Sequence, residues 1–137
     1  MIEGGGMSET CAIGTNNPVL NKEFSGTIGL PLPGIDIAIK DDEGRSLPVG
    51  QSGEICIKGP QVMTGYYLQP AENEKTFTLD GFMRTGDIGI MDEHGYTKIV
   101  VRKKDMIIVS GFNVFPNELE KVVSLCPGVV ECAAIGI

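Results

Sequence analysis

The 137-residue sequence contains no tryptophan and one histidine, His94, and its four cysteines form no Cys-x-x-Cys pair. With Cys11, Cys56, Cys126 and Cys132 dispersed and one imidazole available, a zinc centre lacks its ligands. The scattered thiols fit a reduced, cytoplasmic setting. No apolar run approaches the roughly 20 residues of a membrane span, and the first residues lack a signal-peptide layout. Positive charge is also scarce: 11 Lys and Arg stand against 18 Asp and Glu, for a net charge of −7. That balance excludes a general nucleic-acid surface, which needs cations clustered over a broad face. The dense basic run is Arg102-Lys103-Lys104.

What the chain has in quantity is turn chemistry. Nineteen glycines and eight prolines punctuate it, while hydrophobic residues at 42% and charged residues at 21% stay near globular averages, so short strands and tight turns are expected rather than disorder. Ile35, Ile37 and Ile39 alternate with Asp36, Ala38 and Lys40, the period-two mark of a half-buried strand. Asp41-Asp42-Glu43-Gly44 turns the chain, and Ile55 and Ile57, alternating with Glu54, Cys56 and Lys58, make the return strand. Ile88 and Ile90, the turn Asp92-Glu93-His94-Gly95 and the run Tyr96 to Val101 predict a second hairpin. Neither acidic turn has the spaced ligands and distal glutamate of a calcium loop. Residues 24–101 therefore read as a small, mostly antiparallel β-barrel or sandwich. Between the hairpins, Met63, Tyr66, Tyr67 and Leu68 stand in a loop whose aromatics either line a ligand or, as the commoner explanation, form a lid of core side chains, and Glu72 to Thr78 reads as one or two helical turns.

Near the start, Gly4-Gly5-Gly6 precedes Met7-Ser8-Glu9-Thr10. A glycine run lets backbone approach an anion while a hydroxyl and a carboxylate stand at its exit; a frayed, flexible terminus is the plainer alternative. Near the end, Arg102 to Asp105 joins the β-rich region to a different pattern. Met106 to Val109 is a short strand, Ser110 to Asn113 a tight connection and Pro116 the first residue of a helix. Leu119, Val122, Val123 and Cys126 give that helix one apolar face, Pro127-Gly128 ends it, and Val129 to Ile137 reads as a largely buried strand. A boundary holding three adjacent cations and an acid is a hinge candidate, because a passive linker would be richer in Gly, Ser or Pro.

Five stretches together resemble the adenylate-forming superfamily, and within it the bacterial long-chain fatty-acid–CoA ligases. They are Gly6-Met7-Ser8-Glu9, Gly59-Pro60-Gln61-Val62-Met63-Thr64-Gly65-Tyr66-Tyr67, Arg84-Thr85-Gly86-Asp87-Ile88, Arg102-Lys103-Lys104-Asp105, and Ser110-Gly111-Phe112-Asn113-Val114-Phe115-Pro116-Asn117-Glu118. The resemblance implies an enzyme that forms an acyl-adenylate from a fatty acid and Mg-ATP, then turns a small C-terminal domain to deliver coenzyme A. It implies that Gly6, Met7, Ser8, Asp87 and Arg102 bind ATP or AMP, with Ser8 on the α-phosphate, Asp87 on the ribose diol and Arg102 on the ribose and phosphate side. Glu9 would hold Mg²⁺, Lys104 would be the hinge, and Gly111 with Phe112 would face coenzyme A. At Gly111 the backbone turn alone explains the glycine equally well.

The implied fold class is α+β, mostly β: a small antiparallel β-barrel-like subdomain followed by the start of an α+β C-terminal domain. Residues 1–101 would be the C-terminal portion of the large adenylation domain, 102–105 the hinge and 106–137 the beginning of the small domain. Gly5 stands where the family usually has an aromatic residue, which puts stacking on adenine in question, and Phe82 replaces the more usual tryptophan. The family's Ser/Thr/Gly-rich phosphate loop and C-terminal catalytic lysine have no counterpart among the 137 residues. The chain is accordingly expected to be a fragment of the ligase, inactive alone and open to self-association, the parent being cytoplasmic or peripheral to a membrane. Two other readings stand beside it: a non-catalytic β-rich interaction module, and an adenylate-forming enzyme with another acyl acceptor.

Overall fold

The computed structural model describes residues 3–20, 23–109 and 112–136. At its centre is a four-stranded antiparallel sheet in the order β4-β5-β6-β7, formed by β4 (Asp36–Lys40), β5 (Ser52–Lys58), β6 (Met83–Met91) and β7 (Thr97–Arg102). A three-stranded antiparallel sheet of two-residue strands precedes it: β1 (Gly4–Gly5), β2 (Thr15–Asn16) and β3 (Leu30–Pro31). The two sheets meet where Ile28 N–H donates to Thr97 O at 2.8 Å and Thr97 N–H to Gly29 O at 3.3 Å. That junction brings the glycine-rich start of the chain beside the β6–β7 pair.

The mostly-β, antiparallel expectation holds, and the sheets remain open rather than closing into barrels. The second hairpin forms as its turn residues require. Asp92 N–H reaches Tyr96 O at 2.9 Å, Gly95 N–H reaches Asp92 O at 3.0 Å, and Gly95 takes φ +86°, a left-handed conformation that glycine enters without steric cost. The core gathers Ile39, Ile55, Cys56, Ile57, Met83, Ile88 and Val101. Burial pushes the Cys56 thiol up to about 12, so this cysteine is an inert apolar side chain.

Strand β5 departs from simple alternation. It lies inside the sheet, and Glu54, Ile55, Cys56 and Ile57 are all buried, so a glutamate that period two assigns to the wetter face is enclosed. Lys40 is likewise enclosed at 1% exposure. Its Nζ donates to Asp80 Oδ2 at 2.8 Å and Gly44 O at 3.0 Å and lies 4.7 Å from the Phe82 ring centre. This contact fastens the loop before β6 to the sheet and holds the Asp80 carboxyl down at about 2.

Between β5 and β6 runs α1 (Pro70–Thr76), with Pro70 in its first turn where a missing N–H costs nothing. The preceding loop is not a lid of core side chains: Tyr67 and Leu68 are exposed, and Tyr66 points elsewhere. After β7 a 3-10 turn covers Lys103–Asp105, followed by the hairpin β8 (Ile107–Val109) and β9 (Phe112–Val114), then α2 (Pro116–Val123). Phe112 and Asn113 thus belong to a strand rather than to the connection. Helix α2 begins at Pro116 as expected, but Leu119, Val122 and Val123 remain exposed. Among the described residues no strand forms over 129–136, and Val130 and Ile135 are exposed.

Candidate functional site

The N-terminal glycines are ordered structure. Gly4 and Gly5 pair with Asn16 and Thr15, which removes the frayed-end alternative for residues 4–5. Gly6 lies so close to the bend before β2 that a Cβ there would fall 1.6 Å from Ala12 O, a position closed to every other residue. The chain then makes one 3-10 turn over Ser8–Thr10. Met7 N–H donates to Thr10 Oγ1 at 3.1 Å and Thr10 Oγ1–H returns to Met7 O at 3.0 Å, with Thr10 itself buried. Ser8 is left exposed at the tip and Glu9 half-buried beside it.

Opposite that turn lies the β6–β7 pair. Its register sets Asp87 directly across from Arg102, with Arg102 Nε 3.7 Å from Asp87 Oδ1. Burial raises the Asp87 carboxyl above the usual aspartate range, Arg102 pulls it back, and the negative charge of Glu54 raises it further. Asp87 is thus partly desolvated with an exposed cation at its side, an arrangement suited to accepting hydrogen bonds from a diol.

These parts surround a single cleft of about 780 Å³. Gly6, Met7, Ser8 and Glu9 form one wall, Thr85, Gly86 and Asp87 a second, and Arg102, Lys103 and Lys104 a third. Every residue expected to bind nucleotide or metal, together with Lys104, lines it. Phe112 does not: it opens β9 at 75% exposure, and Gly111 lies outside the described residues.

Glu9 accepts a hydrogen bond from Tyr66 Oη at 2.9 Å on Oε1, and Tyr66 is in turn held by Asn73 of α1, through Tyr66 N–H to Asn73 Oδ1 at 2.7 Å and Asn73 Nδ2 to Tyr66 O at 3.0 Å. The bond to Glu9 raises the Tyr66 hydroxyl above its ordinary value, keeping it a donor. With Oε1 occupied, Oε2 remains as a hard oxygen donor. Among the described residues no group of three or more His, Cys, Asp or Glu side chains converges to hold a metal. Glu9 therefore suits a cation such as Mg²⁺ that takes one carboxylate and completes its shell with phosphate oxygens and water.

A buried charged network lies behind the cleft wall that Gly86 and Lys103 form. Glu54, with a side chain 5% exposed, accepts from Arg84 Nη1 at 2.9 Å and Lys103 Nζ at 3.0 Å on Oε2, and from Gly86 N–H at 3.2 Å on Oε1. Lys103 also reaches Asp42 Oδ1 at 2.7 Å. Glu54 stands between Gly53 and Ile55, and no local sequence signal marks it as buried.

Residues 1–67 match the model of the AMP-binding enzyme family. The long-chain-fatty-acid–CoA ligase of Yersinia pestis is 48% identical over all 137 residues, which correspond to 24% of its length. The crystal structure of ATP-bound MatB from Rhodopseudomonas palustris superposes with a TM-score of 0.91 at 43% identity, covering the whole of this chain and 27% of that one. The o-succinylbenzoate coenzyme A synthetase MenE from Bacillus subtilis, in complex with ATP and magnesium, gives a TM-score of 0.81 at 36% identity over 96% of this chain and 28% of its own. The chain belongs to the adenylate-forming, AMP-binding superfamily. Within it, its sequence is similar to the long-chain-fatty-acid–CoA ligases, and it spans about a quarter of the length of such relatives.

Proposed function

We propose that this chain supplies the ribose-gripping wall and the hinge of an AMP-forming acid–CoA ligase whose acid is a long-chain fatty acid. The observation that carries the reading is the cleft in which Ser8, Glu9, Asp87, Arg102 and Lys104 meet although up to 96 residues separate them in sequence. In this reading Asp87 accepts from the ribose hydroxyls, Arg102 neutralises the sugar-phosphate side, and Ser8 donates to the α-phosphate. Glu9, oriented by Tyr66, holds Mg²⁺, which when bound neutralises phosphate charge. Residues 1–101 belong to the large adenylation domain, 102–105 to the hinge and 106–137 to the small domain. Coenzyme A is the acyl acceptor, with Gly111 and Phe112 at the thiol side.

The fatty-acid assignment rests on the Yersinia pestis similarity, whereas MenE by its name serves a different acid. A graft decides between them. The Yersinia pestis enzyme with this segment in place of its own is expected to form AMP and consume thiol with palmitate. Arg102→Ala should lower kcat/KM in the graft at least about tenfold, equivalent to one charge-assisted contact of about 1.5–3 kcal/mol. Palmitate-independent turnover, or an unaffected Arg102→Ala graft, would sink the assignment.

The 137-residue chain alone is expected not to turn over. Two charge-assisted contacts of about 1.5–3 kcal/mol each barely offset an association cost of at least about 4 kcal/mol, so its affinity for ATP or AMP should be no better than about millimolar. Calorimetry showing micromolar binding overturns that expectation.

A further inference from the structure

Glu54 is a carboxylate taken almost completely out of water, and its three partners come from two places. Arg84 and Gly86 belong to β6, and Gly86 immediately precedes Asp87; Lys103 is the first residue beyond β7 and immediately precedes Lys104. The loop after β4 closes the arrangement. Asp42 Oδ1 takes Lys103 Nζ at 2.7 Å, and Arg84 Nη2 donates to Asp42 O at 3.0 Å. Burying an ionised carboxylate is costly and its ion pairs do little more than compensate, so such a network is poor evidence for stability and better evidence for fixing one arrangement among several.

We propose that Glu54 is a positioning residue that clamps Lys103 to the sheet, so that any swivel of the following chain starts at Lys104, and that through Gly86 it sets the turn presenting Asp87. The proposal rests on the hinge reading above for the identity of Lys104 as the pivot. The clamp itself is a property of this chain without nucleotide, acid or coenzyme A. Groups facing Glu54 from every side are the cations Arg84 and Lys103, the acid Asp42 beyond Lys103, and the Gly86 amide. A change at Lys103 therefore removes one arm of the clamp while Arg84 continues to neutralise the buried carboxylate.

The test is backbone ¹⁵N relaxation on the 137-residue chain. In the unaltered chain the amides through Lys103 are expected to be as ordered as those of β7, with faster motion beginning at Lys104. Lys103→Met should move that onset back, lowering the heteronuclear NOE at Arg102 and Lys103 at least twofold while amides in β4 and β5 stay unchanged. Lys103→Arg should restore the original onset. Glu54→Gln should shift the onset in the same way and in addition move the Gly86 amide resonance; should that variant fail to fold, the Lys103 pair still decides. An onset unmoved by Lys103→Met, or a loss of order spread evenly across the four-stranded sheet, overturns the clamp. A clamp that passes this test in a chain whose ligase graft is dead leaves the inference standing and removes only the functional reading.

Discussion

Asp87 carries two opposed influences. Burial and the negative charge of Glu54 favour its protonated form, and Arg102 at 3.7 Å favours the charged one. A carboxyl whose folded value lies above its unfolded one contributes stability that is fully present below the unfolded value and lost as pH rises through the folded value. Asp87 therefore weakens the fold at neutral pH and helps it in acid. Asp87→Asn is expected to raise the urea midpoint at pH 7 and to leave it unchanged near pH 3. In a carbon-detected NMR titration the Asp87 carboxyl should titrate above 3.8, and Arg102→Met should move it higher still. A downward movement on losing the arginine would show that the pair does not interact. Asp80 has the opposite sign: held at about 2 by Lys40, its contribution is present above the ordinary aspartate value and disappears as pH falls toward 2.

Among the elements, the turn over Ser8–Thr10 shows most directly how backbone shape fixes chemistry. A side chain at position 6 cannot exist without displacing Ala12, so Gly6→Ala is expected to destabilise the chain by about 3 kcal/mol, the upper range for forced overpacking. Chemical denaturation measures this, and a cost below about 1 kcal/mol would mean that the turn relocates freely. Strand β4, the second half of β6 around Ile88 and Ile90, strand β7, the turn at Gly95 and the start of α2 were legible because each depends on local pattern: alternation, a glycine at positive φ, a proline in a first helical turn. The strand expected over 129–137 does not form over the described part, 129–136, because strand formation needs a partner that no local pattern supplies. Glu54 was illegible for a related reason. Its burial follows from the central place of β5 and from two cations, 30 and 49 residues away, which alternation within one strand does not encode. The cleft residues were found by resemblance to a family; composition alone had marked only the glycine run and the cationic run.

At the scale of the whole molecule, apolar surface is unevenly covered. The four-stranded sheet buries Ile39, Ile55, Ile57 and Ile88, whereas Ile108, Val109, Phe112, Val122, Leu125, Val130 and Ile135 all lie exposed after the turn over Lys103–Asp105. Exposed apolar groups gathered in one region favour association. The isolated chain is expected to show concentration-dependent growth in mass by light scattering, reduced by Phe112→Ser together with Val122→Lys. A strictly monomeric species at high concentration would count against this.

The close approach of Gly6 to Ala12 has one more consequence. Because main-chain atoms and the buried Thr10 hold the turn in shape, its outward residue Ser8 carries none of that burden. Such a mount can exchange its chemical group while keeping its contour, so polar substitutions at Ser8 alter what the cleft attracts and leave its outline intact.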